Sequence, residues 1–250
     1  MDMTNNPFSL VGKTILVTGA SSGIGQETAI QCANLGAKVV ITGRDIVRLQ
    51  NTYDMLSGEG HHMIVADINK DEDIDYLVAE CPILDGLVNN AGSSKGAPIQ
   101  FIKRSDLEGV YNTNLYGVML LTKMLLKKKK LARNASIVFT SSISARMTAA
   151  GIAVYASSKA ALSAYMRNCA IELGAKGIRS NAVLPGMVET KLINSGKYTE
   201  EDKQNDLNLY PLGRYGKPED VAYLIIYLLS DASAWMTGSE IVIDGGRCLK

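Results

Sequence analysis

Residues 14–25 read TILVTGASSGIG, and this stretch predicts a strand, a tight turn and a helix in that order. The β-branched run over 14–18 has the composition of a buried strand. Glycines follow at positions 19, 23 and 25, where the backbone can turn sharply and another group can approach closely. The next helix directs free N–H groups and the positive end of its dipole towards the turn, which favours a bound phosphate. A glycine turn in this setting indicates a dinucleotide site, and a purely structural turn is the alternative.

Beyond this stretch, short β-branched runs alternate with longer amphipathic segments along the chain. Strands are predicted over residues 14–18, 38–42, 62–66, 86–89, 136–141, 178–184 and 240–243. Helices are predicted over residues 23–35, 45–57, 71–80, 105–130, 152–175 and 218–229. Strict alternation is typical of a parallel sheet with helices on both faces, and right-handed crossovers make such a sheet doubly wound. We therefore predict an α/β protein with a single Rossmann-type domain over residues 1–250 and ligands at the carboxyl ends of the strands.

The composition argues against several classes of function. The 250 residues are 46% hydrophobic and 20% charged, with a formal net charge of +1, so no basic surface for nucleic acid is expected. Four cysteines without a CxxC spacing and two histidines favour neither a metal site nor a Ser-His-Asp triad. No apolar run approaches the ~20 residues that span a bilayer, and residues 1–9 lack the layout of a signal peptide. We expect a cytoplasmic protein with a flexible amino terminus, no metal and no membrane partner.

Tyr155 and Lys159 fall in the predicted helix over 152–175, where residues four apart share one face. A phenol with a reference pKa of about 10 exchanges protons poorly near neutral pH. A fixed ammonium group close by would favour the phenolate and lower that pKa. Ser142, earlier in the chain, could hold a substrate oxygen beside the phenol. Tyrosine and lysine also meet at this spacing by chance, so the pair gains its meaning from the motifs around it.

Five motifs occur in one order along the chain. They are the glycine turn over 18–25, Asn89-Asn90-Ala91-Gly92, Ser142, Tyr155-Ala156-Ser157-Ser158-Lys159, and Pro185-Gly186. Together they resemble the short-chain dehydrogenase/reductase family, and more narrowly its branch of bacterial 3-oxoacyl-(acyl carrier protein) reductases. The resemblance extends over about residues 10–246 and includes PLGR at 211–214 and DGG at 244–246.

The resemblance implies four catalytic residues, which are Asn114, Ser142, Tyr155 and Lys159. The implied mechanism is hydride transfer between the nicotinamide and a carbonyl carbon, with Tyr155 expected to protonate the alkoxide and Ser142 to hydrogen-bond the same oxygen. Lys159 is expected to lower the pKa of the tyrosine and to hold the nicotinamide ribose. Asn114 is expected to help hold a water that links the lysine to solvent. A mid-helix asparagine is also unfavourable by helix propensity, which suggests a task at this position.

The same resemblance implies a cofactor site whose residues follow the predicted strands. They are Gly19, Ser21, Ser22, Gly23, Ile24, Gly25, Arg44, Asp67, Ile68, Asn90, Ala91, Gly92, Tyr155, Lys159, Pro185, Gly186, Val188 and Thr190. Arg44 stands where an arginine can pair with a 2′-phosphate, whereas an acidic residue would bond the 2′-hydroxyl of NAD. Asp45 is as easily the N-cap of the next helix, and Ser22 replaces the second basic residue of many NADP-preferring relatives. NADP(H) is therefore favoured, and NAD(H) stays open.

Within that set, the resemblance assigns parts of the cofactor to particular segments. Asp67 is expected to bond the adenine amino group, with Ile68 beside the ring. The segment 90–92 is expected to close over the adenosine ribose, and Pro185, Gly186 and Thr190 to fix the nicotinamide. The irregular stretch 188–212 is predicted to be a substrate lid, because long loops without regular structure often cover active sites.

Three functions remain open for this set of residues. The leading interpretation is an NADP(H)-dependent 3-oxoacyl-thioester reductase, with a small carbonyl or acyl thioester as substrate and an acyl carrier protein as a candidate partner. A sugar, polyol or hydroxysteroid dehydrogenase would use the same residues. A non-catalytic cofactor sensor ranks third, because all four catalytic residue types are present. The run 127–130, with Lys176, is either a solvated helix end or a docking patch for an acidic carrier. A homotetramer is expected from the resemblance alone.

Overall fold

A seven-stranded parallel sheet forms the centre of the protein in a computed structural model that describes residues 6–190 and 200–249. The strands are β1 (Thr14–Thr18), β2 (Lys38–Gly43), β3 (His62–Val65), β4 (Leu84–Asn89), β5 (Leu131–Thr140), β6 (Arg179–Pro185) and β7 (Glu240–Ile243). Their order is β3-β2-β1-β4-β5-β6-β7, and neighbouring strands run parallel. The winding reverses between β1 and β4, where a crevice opens at the carboxyl ends of the strands. The predicted doubly wound, Rossmann-type sheet is confirmed.

Helices pack on both faces of this sheet. Within the described residues the α-helices are α1 (Gly23–Asn34), α2 (Ile46–Tyr53), α3 (Asp71–Glu80), α4 (Arg104–Tyr111), α5 (Gly117–Lys127), α6 (Ala153–Leu173), α7 (Glu200–Leu207) and α8 (Pro218–Leu229). Alternate residues of a strand point to opposite faces. Ile15 and Val17 therefore share a core with α1 and α8, whereas Leu16 shares a second core with α3, α5 and α6. None of the described helices has the length and apolar composition needed to cross a bilayer.

The predicted helix over 105–130 is interrupted beside the crevice. α4 ends at Tyr111, a π-helical turn spans Asn112–Tyr116, and α5 begins at Gly117. A π-turn fits one extra residue into the helix, and here it contains the buried Asn114, whose side chain bonds outside its own helix. Asparagine disfavours a regular helix, which accounts for the break. Because α5 ends at Lys127, β5 begins earlier than the predicted start at residue 136.

The stretch 188–212, which the sequence predicts to be irregular, contains a helix. Residues 191–199 lie outside the described residues, and α7 then occupies Glu200–Leu207. The sequence of α7, EEDKQNDL, is almost entirely polar, so it carries no hydrophobic period from which a helix could be predicted. The chain after α7 is attached to the end of the sheet. The Tyr210 hydroxyl accepts the N–H of Met187 at 3.1 Å, and its ring meets that of Tyr215 edge-on with centroids 5.3 Å apart.

Part of the amino-terminal segment contacts the domain. Residues 1–5 lie outside the described residues. The Pro7 carbonyl accepts the N–H of Ala232 at 2.9 Å, and the Phe8 ring lies 6.1 Å from that of Tyr227 between centroids. These two contacts attach residues 7 and 8 to the end of α8.

Gly117 begins α5 where that helix passes closest to the chain at Ile68, and the packing there can be tested. A Cβ on Gly117 would lie 2.4 Å from the Ile68 carbonyl oxygen, whereas a Cβ on Gly109 in α4 would meet nothing within 4 Å. We expect Gly117→Ala to lower the free energy of unfolding by roughly 1–3 kcal/mol, because two backbone segments must separate. Gly109→Ala should leave it unchanged or raise it by up to about 1 kcal/mol. Urea unfolding measures both, and equal effects would contradict the close approach.

Candidate active site

A cavity of about 830 Å³ opens at the carboxyl ends of the strands. Every predicted site residue lines it except Gly25 and Asn114. Residues that were not predicted also line it, and they are Thr42, Gly43, Asp45, Arg48, Ala66, Ser93, Ser94, Thr113, Thr140, Ser141 and Met187. Most of them adjoin a predicted residue in the chain, so widening each motif by one or two positions would have included them. Arg48 is different, because it lies in the first turn of α2.

The glycine turn and the segment after β4 are locked together at the centre of the cavity. Thr18 Oγ1 accepts the N–H groups of Asn90 and Ala91, each at 3.0 Å, and donates to the Val88 carbonyl at 3.2 Å. Asn90 Nδ2 donates to the Gly19 carbonyl at 3.4 Å. A Cβ on Gly25 would lie 2.4 Å from that same carbonyl oxygen. Gly25 therefore lies behind the turn and permits its close packing on α1, which explains its absence from the lining.

Lys159 is a residue of α6 whose ammonium group is buried against the end of β5. The residue is only 4% exposed, and its Nζ donates to the Thr140 carbonyl at 2.7 Å. Nζ lies 5.8 Å from the centroid of the Tyr155 ring. Burial lowers the pKa of the Lys159 ammonium to about 8, because a low-dielectric environment disfavours the charged form. The structure therefore brings the predicted tyrosine and lysine together, and the lysine has a pKa close to neutral.

Tyr155 does not have the lowered pKa that its sequence position predicts. Burial raises the pKa of the phenol, and the hydrogen bond with Ser142 opposes this effect without reversing it. The predicted lowering by Lys159 is therefore wrong in its net direction. The physical reason is that desolvation of the phenolate outweighs the favourable interactions around it. The phenol is consequently in its protonated form at neutral pH.

Hydrogen bonds hold the serines at the end of β5 in place. Ser142 precedes a 3₁₀ turn over Ile143–Ala145, and its Oγ accepts the N–H of Ser144 at 3.1 Å. Ser141 Oγ donates to the Lys159 carbonyl at 3.1 Å and lies 3.1 Å from Ser163 Oγ. These bonds join the end of β5 to α6. Ser142, Tyr155 and Lys159 are therefore positioned by one rigid junction.

A buried carboxylate holds the far end of the Ser142 turn. Glu240, whose side chain is 8% exposed, accepts from Arg146 Nε at 3.0 Å and from Arg146 Nη2 at 2.8 Å. Its other oxygen pairs with the guanidinium of Arg167 on α6. Arg146 directly follows the 3₁₀ turn, so this ion pair ties the turn after Ser142 to both β7 and α6.

Asn114 is buried next to the cavity, and both the nitrogen and the oxygen of its side-chain amide form hydrogen bonds with protein groups. Nδ2 donates to the Ser93 carbonyl at 3.0 Å and to Ser158 Oγ at 2.9 Å. Oδ1 accepts the Ser93 N–H at 2.8 Å. Both N–H donors of the side chain are thus occupied by protein atoms, so the side chain positions the 93–94 segment against α6. The unfavourable helix propensity was the signal for this role, but its partners could not be read from the chain.

The opposite end of the cavity carries four charged side chains. Arg44 follows β2, is 74% exposed, and lies 4.0 Å from Asp67 between Nη1 and Oδ2. Asp45 accepts the N–H of Arg48 at 3.1 Å, so it is the N-cap of α2. All four residues line the cavity. This end combines the cation that a 2′-phosphate needs with two carboxylates near it.

The lining suits a dinucleotide that spans the cavity. A glycine turn precedes α1, where free N–H groups favour a pyrophosphate. Thr42 and Thr140 line the cavity, and the buried hydroxyl oxygens of both have no hydrogen-bond partner among the described residues. Buried polar atoms nearly always have a partner, which a ligand or a water in the cavity would supply.

The lysine run lies at the amino-terminal ends of the strands, on the opposite side of the sheet from the cavity at their carboxyl ends. Lys127 ends α5, and Lys128 to Lys130 precede β5, at whose far end Ser142 lies. Lys176 likewise precedes β6. A ten-residue strand is about 33 Å long, so a carrier bound to these lysines is remote from the Tyr155 of the same chain. Lys130 Nζ also donates to the carbonyls of Ala79 and Cys81, which assigns it a structural role at the end of α3.

Comparisons with known proteins agree with this site. Residues 19–247 match the family model described as enoyl-(acyl carrier protein) reductase. A 3-oxoacyl-(acyl-carrier-protein) reductase of Thermotoga maritima is 37% identical over 243 residues, covering 95% of this chain and 98% of that protein. An L-rhamnose 1-dehydrogenase (NAD(P)+) of Azotobacter vinelandii is 36% identical over 248 residues, covering 95% of this chain and 97% of that protein.

Solved structures share the whole fold. A short-chain type dehydrogenase/reductase from Mycobacterium marinum has a TM-score of 0.88 and 31% identity, covering 98% of this chain and 99% of that one. A structure from Agrobacterium tumefaciens with bound NADP has a TM-score of 0.90 and 28% identity, covering 98% and 100%. The fold, the cavity and its serine, tyrosine and lysine define an oxidoreductase that acts on CH–OH and C=O groups. The chain belongs to the short-chain dehydrogenase/reductase family.

The burial of Lys159 predicts a pH dependence of stability. Below about pH 8 its desolvation cost is fully present, because the ammonium is charged in both the folded and the unfolded chain. Between pH 8 and 10.5 the folded protein binds fewer protons than the unfolded chain, so this cost falls as pH rises. From pH 7 to pH 10, the free energy of unfolding of the wild type should therefore rise relative to that of Lys159→Met, by roughly 2–3 kcal/mol.

Denaturant unfolding of both proteins at the two pH values measures this difference. The same substitution at Lys123, an exposed residue of α5, is the control and should show little pH dependence. A difference between wild type and Lys159→Met that stays constant would contradict the burial of a charged ammonium.

The ion pair of Glu240 predicts a role in positioning the Ser142 turn. Glu240→Gln should lower the free energy of unfolding by roughly 1–2 kcal/mol, less than for a fully buried pair because half of each guanidinium faces solvent. We also expect kcat to fall, because the turn after Ser142 loses its anchor. Glu108→Gln, which breaks the exposed pair with Arg104, is the matched control and should change neither quantity measurably. Thermal unfolding and steady-state kinetics test both, and identical behaviour of the two variants would remove this role.

Proposed function

We propose that the protein is an NADP(H)-dependent reductase of 3-oxoacyl thioesters. The observation that carries this proposal is the arrangement of the cavity. Ser142, Tyr155 and Lys159 lie at one end, the glycine turn borders the middle, and Arg44 lies at the adenosine end. Such an arrangement supports hydride transfer next to a group that can donate a proton.

The bound nicotinamide supplies or accepts the hydride, and the residues of this chain manage the oxygen and its proton. Tyr155 carries its proton at neutral pH, because burial raises the pKa of the phenol. It is therefore suited to protonate an alkoxide as charge develops on the substrate oxygen. Ser142 hydrogen-bonds the same oxygen and stabilises that charge. Lys159, whose pKa is about 8 and whose Nζ lies near the Tyr155 ring, then returns a proton to the phenolate.

The proposed preference for NADP(H) rests on Arg44. A guanidinium pairs with a phosphate through charge-assisted, bidentate hydrogen bonds. Arg44 projects from the end of β2 into the cavity and is largely exposed, so it is free to turn from Asp67 towards a 2′-phosphate. Asp45 and Asp67 also line this end, and without Arg44 their carboxylates would suit the ribose hydroxyls of NAD better than a phosphate.

A sugar, polyol or hydroxysteroid dehydrogenase is the second candidate. The similarity to the L-rhamnose dehydrogenase is as extensive as that to the acyl reductase. Ser93 and Ser94 also place hydroxyl groups on the cavity lining, where a polyol could bind. A non-catalytic cofactor sensor ranks third, because all four catalytic residue types that such a sensor could lose, Asn114, Ser142, Tyr155 and Lys159, are present.

The assembly and the surroundings of the site form part of the proposal. An acyl carrier protein is the candidate partner, and the stretch 188–212 is the proposed substrate lid. A cytoplasmic location is proposed from the composition, and a homotetramer from the family resemblance. Exposed apolar side chains on α6, on α8 and before β7 support subunit contacts, with Ile171 81%, Tyr223 58% and Trp235 100% exposed. Burial of such side chains in subunit contacts would remove apolar area from water.

Initial rates of NADPH and NADH oxidation with an acetoacetyl thioester test the proposal. We expect turnover with NADPH, and a loss of kcat of about 10²–10⁴-fold in Tyr155→Phe with NADPH binding retained. Tyr76→Phe, at an exposed tyrosine of α3, is the control and should keep full activity. Turnover of L-rhamnose or glucose with NADP+, without turnover of the thioester, would replace the leading proposal with the second. Tight cofactor binding without turnover of any substrate would favour the sensor.

A further inference from the structure

We propose that Arg48 is a second binding residue for the 2′-phosphate of NADP(H) and acts together with Arg44. This inference rests on the proposed preference for NADP(H). It concerns a residue that no sequence motif of the site includes, in the first turn of α2.

The first argument is the rigid placement of α2 against the glycine turn. Asp45 caps the helix by accepting the Arg48 N–H at 3.1 Å. Thr52, one turn after Arg48, donates from Oγ1 to the Ala20 carbonyl at 2.9 Å and accepts from Gln26 of α1 at 2.9 Å. Leu49, the next residue of the same helix, is fully buried and anchors α2 in the core. Residues four apart share a helix face, so the face of α2 that carries Arg48 and Thr52 is held towards the glycine turn, and Arg48 lines the cavity.

The second argument is the charge at the adenosine end. Arg44 shares that end with Asp45 and Asp67, and its guanidinium lies 4.0 Å from the Asp67 carboxylate. A phosphate monoester brings nearly two negative charges at neutral pH. Arg44 alone would leave such a phosphate facing two carboxylates with one cation. With Arg48 included, the lining has two cations for the two carboxylates, and the phosphate then meets a site that is not net negative.

The third argument is the availability of the Arg48 side chain. Within residues 6–190 and 200–249, Arg48 is half-buried, and its guanidinium makes neither an ion pair nor a side-chain hydrogen bond. By contrast, the arginines at 146, 167, 179 and 214 are all engaged with carboxylates or hydroxyl and carbonyl oxygens. A guanidinium on a rigid helix, open to the cavity and without a protein partner, is well placed to bind an anion there.

Direct binding by the purified full-length protein tests the inference without turnover. Dissociation constants for NADPH and NADH are measured by fluorescence titration for the wild type, Arg48→Gln, Arg44→Gln and the double variant. We expect Arg48→Gln to weaken NADPH binding about tenfold, the effect of one lost charge-assisted bond. NADH binding should stay within about twofold of the wild type. Arg104→Gln, at an exposed arginine of α4 remote from the cavity lining, is the matched control and should change neither constant.

Competition by adenosine 2′,5′-bisphosphate and by 5′-AMP provides a second readout that isolates the 2′-phosphate. Arg48→Gln should weaken the bisphosphate and spare 5′-AMP. Equal losses for both ligands would overturn the inference, since they would show that Arg48 only supports α2. An unchanged Arg48→Gln beside a weakened Arg44→Gln would overturn it while leaving the cofactor preference intact. A wild type that binds NADH as tightly as NADPH would overturn both.

Discussion

The hydroxyl of Thr18 joins the ends of β1 and β4, and the site is built on that junction. β1 leads to α1 on one face of the sheet, while β4 leads to α4 and α5 on the other, so the chain diverges at this point. Three hydrogen bonds through Thr18 Oγ1 hold the two diverging ends together. The crevice at the reversal of winding therefore has a fixed width. The glycine turn and the segment 90–92 both line the cavity, next to this junction.

The burial of Lys159 beside the end of β5 lowers the stability of the folded chain. Lys159 is buried, is bonded to the Thr140 carbonyl, and has no carboxylate partner among the described residues. An isolated buried charge is unfavourable, and such costs are typical of functional sites. The same burial that lowers the pKa of the lysine raises that of Tyr155. The Tyr155 phenol is thus protonated at neutral pH, and the pKa of Lys159 is about 8, which suits the proton donation that we propose for Tyr155.

The chemistry and the substrate are encoded in different parts of the chain. Ser142, Tyr155 and Lys159, which we propose to act on the substrate oxygen, come from the end of β5 and from α6, where hydrogen bonds through the Ser141 and Ser142 hydroxyls hold the chain. Relatives that act on acyl thioesters and on sugars match this chain to nearly the same extent. The proposed function therefore assigns specificity to the cavity lining outside this junction, which includes Ser93 and Ser94. Loops in such a lining can change without disturbing the junction between β5 and α6.

Local patterns in the chain were sufficient for the strands, the doubly wound sheet and the pairing of Tyr155 with Lys159. Each depends on periodicity or on a four-residue spacing, both of which operate between near neighbours. The polar α7 and the π-turn at Asn114 were missed, because neither has a hydrophobic period and the partners of Asn114 are distant in the chain. The net direction of the Tyr155 pKa was wrong, because it depends on burial by the whole domain. Arg48 enters the cavity, and the lysine run is excluded from it, only because strands and helices far apart in the chain pack side by side.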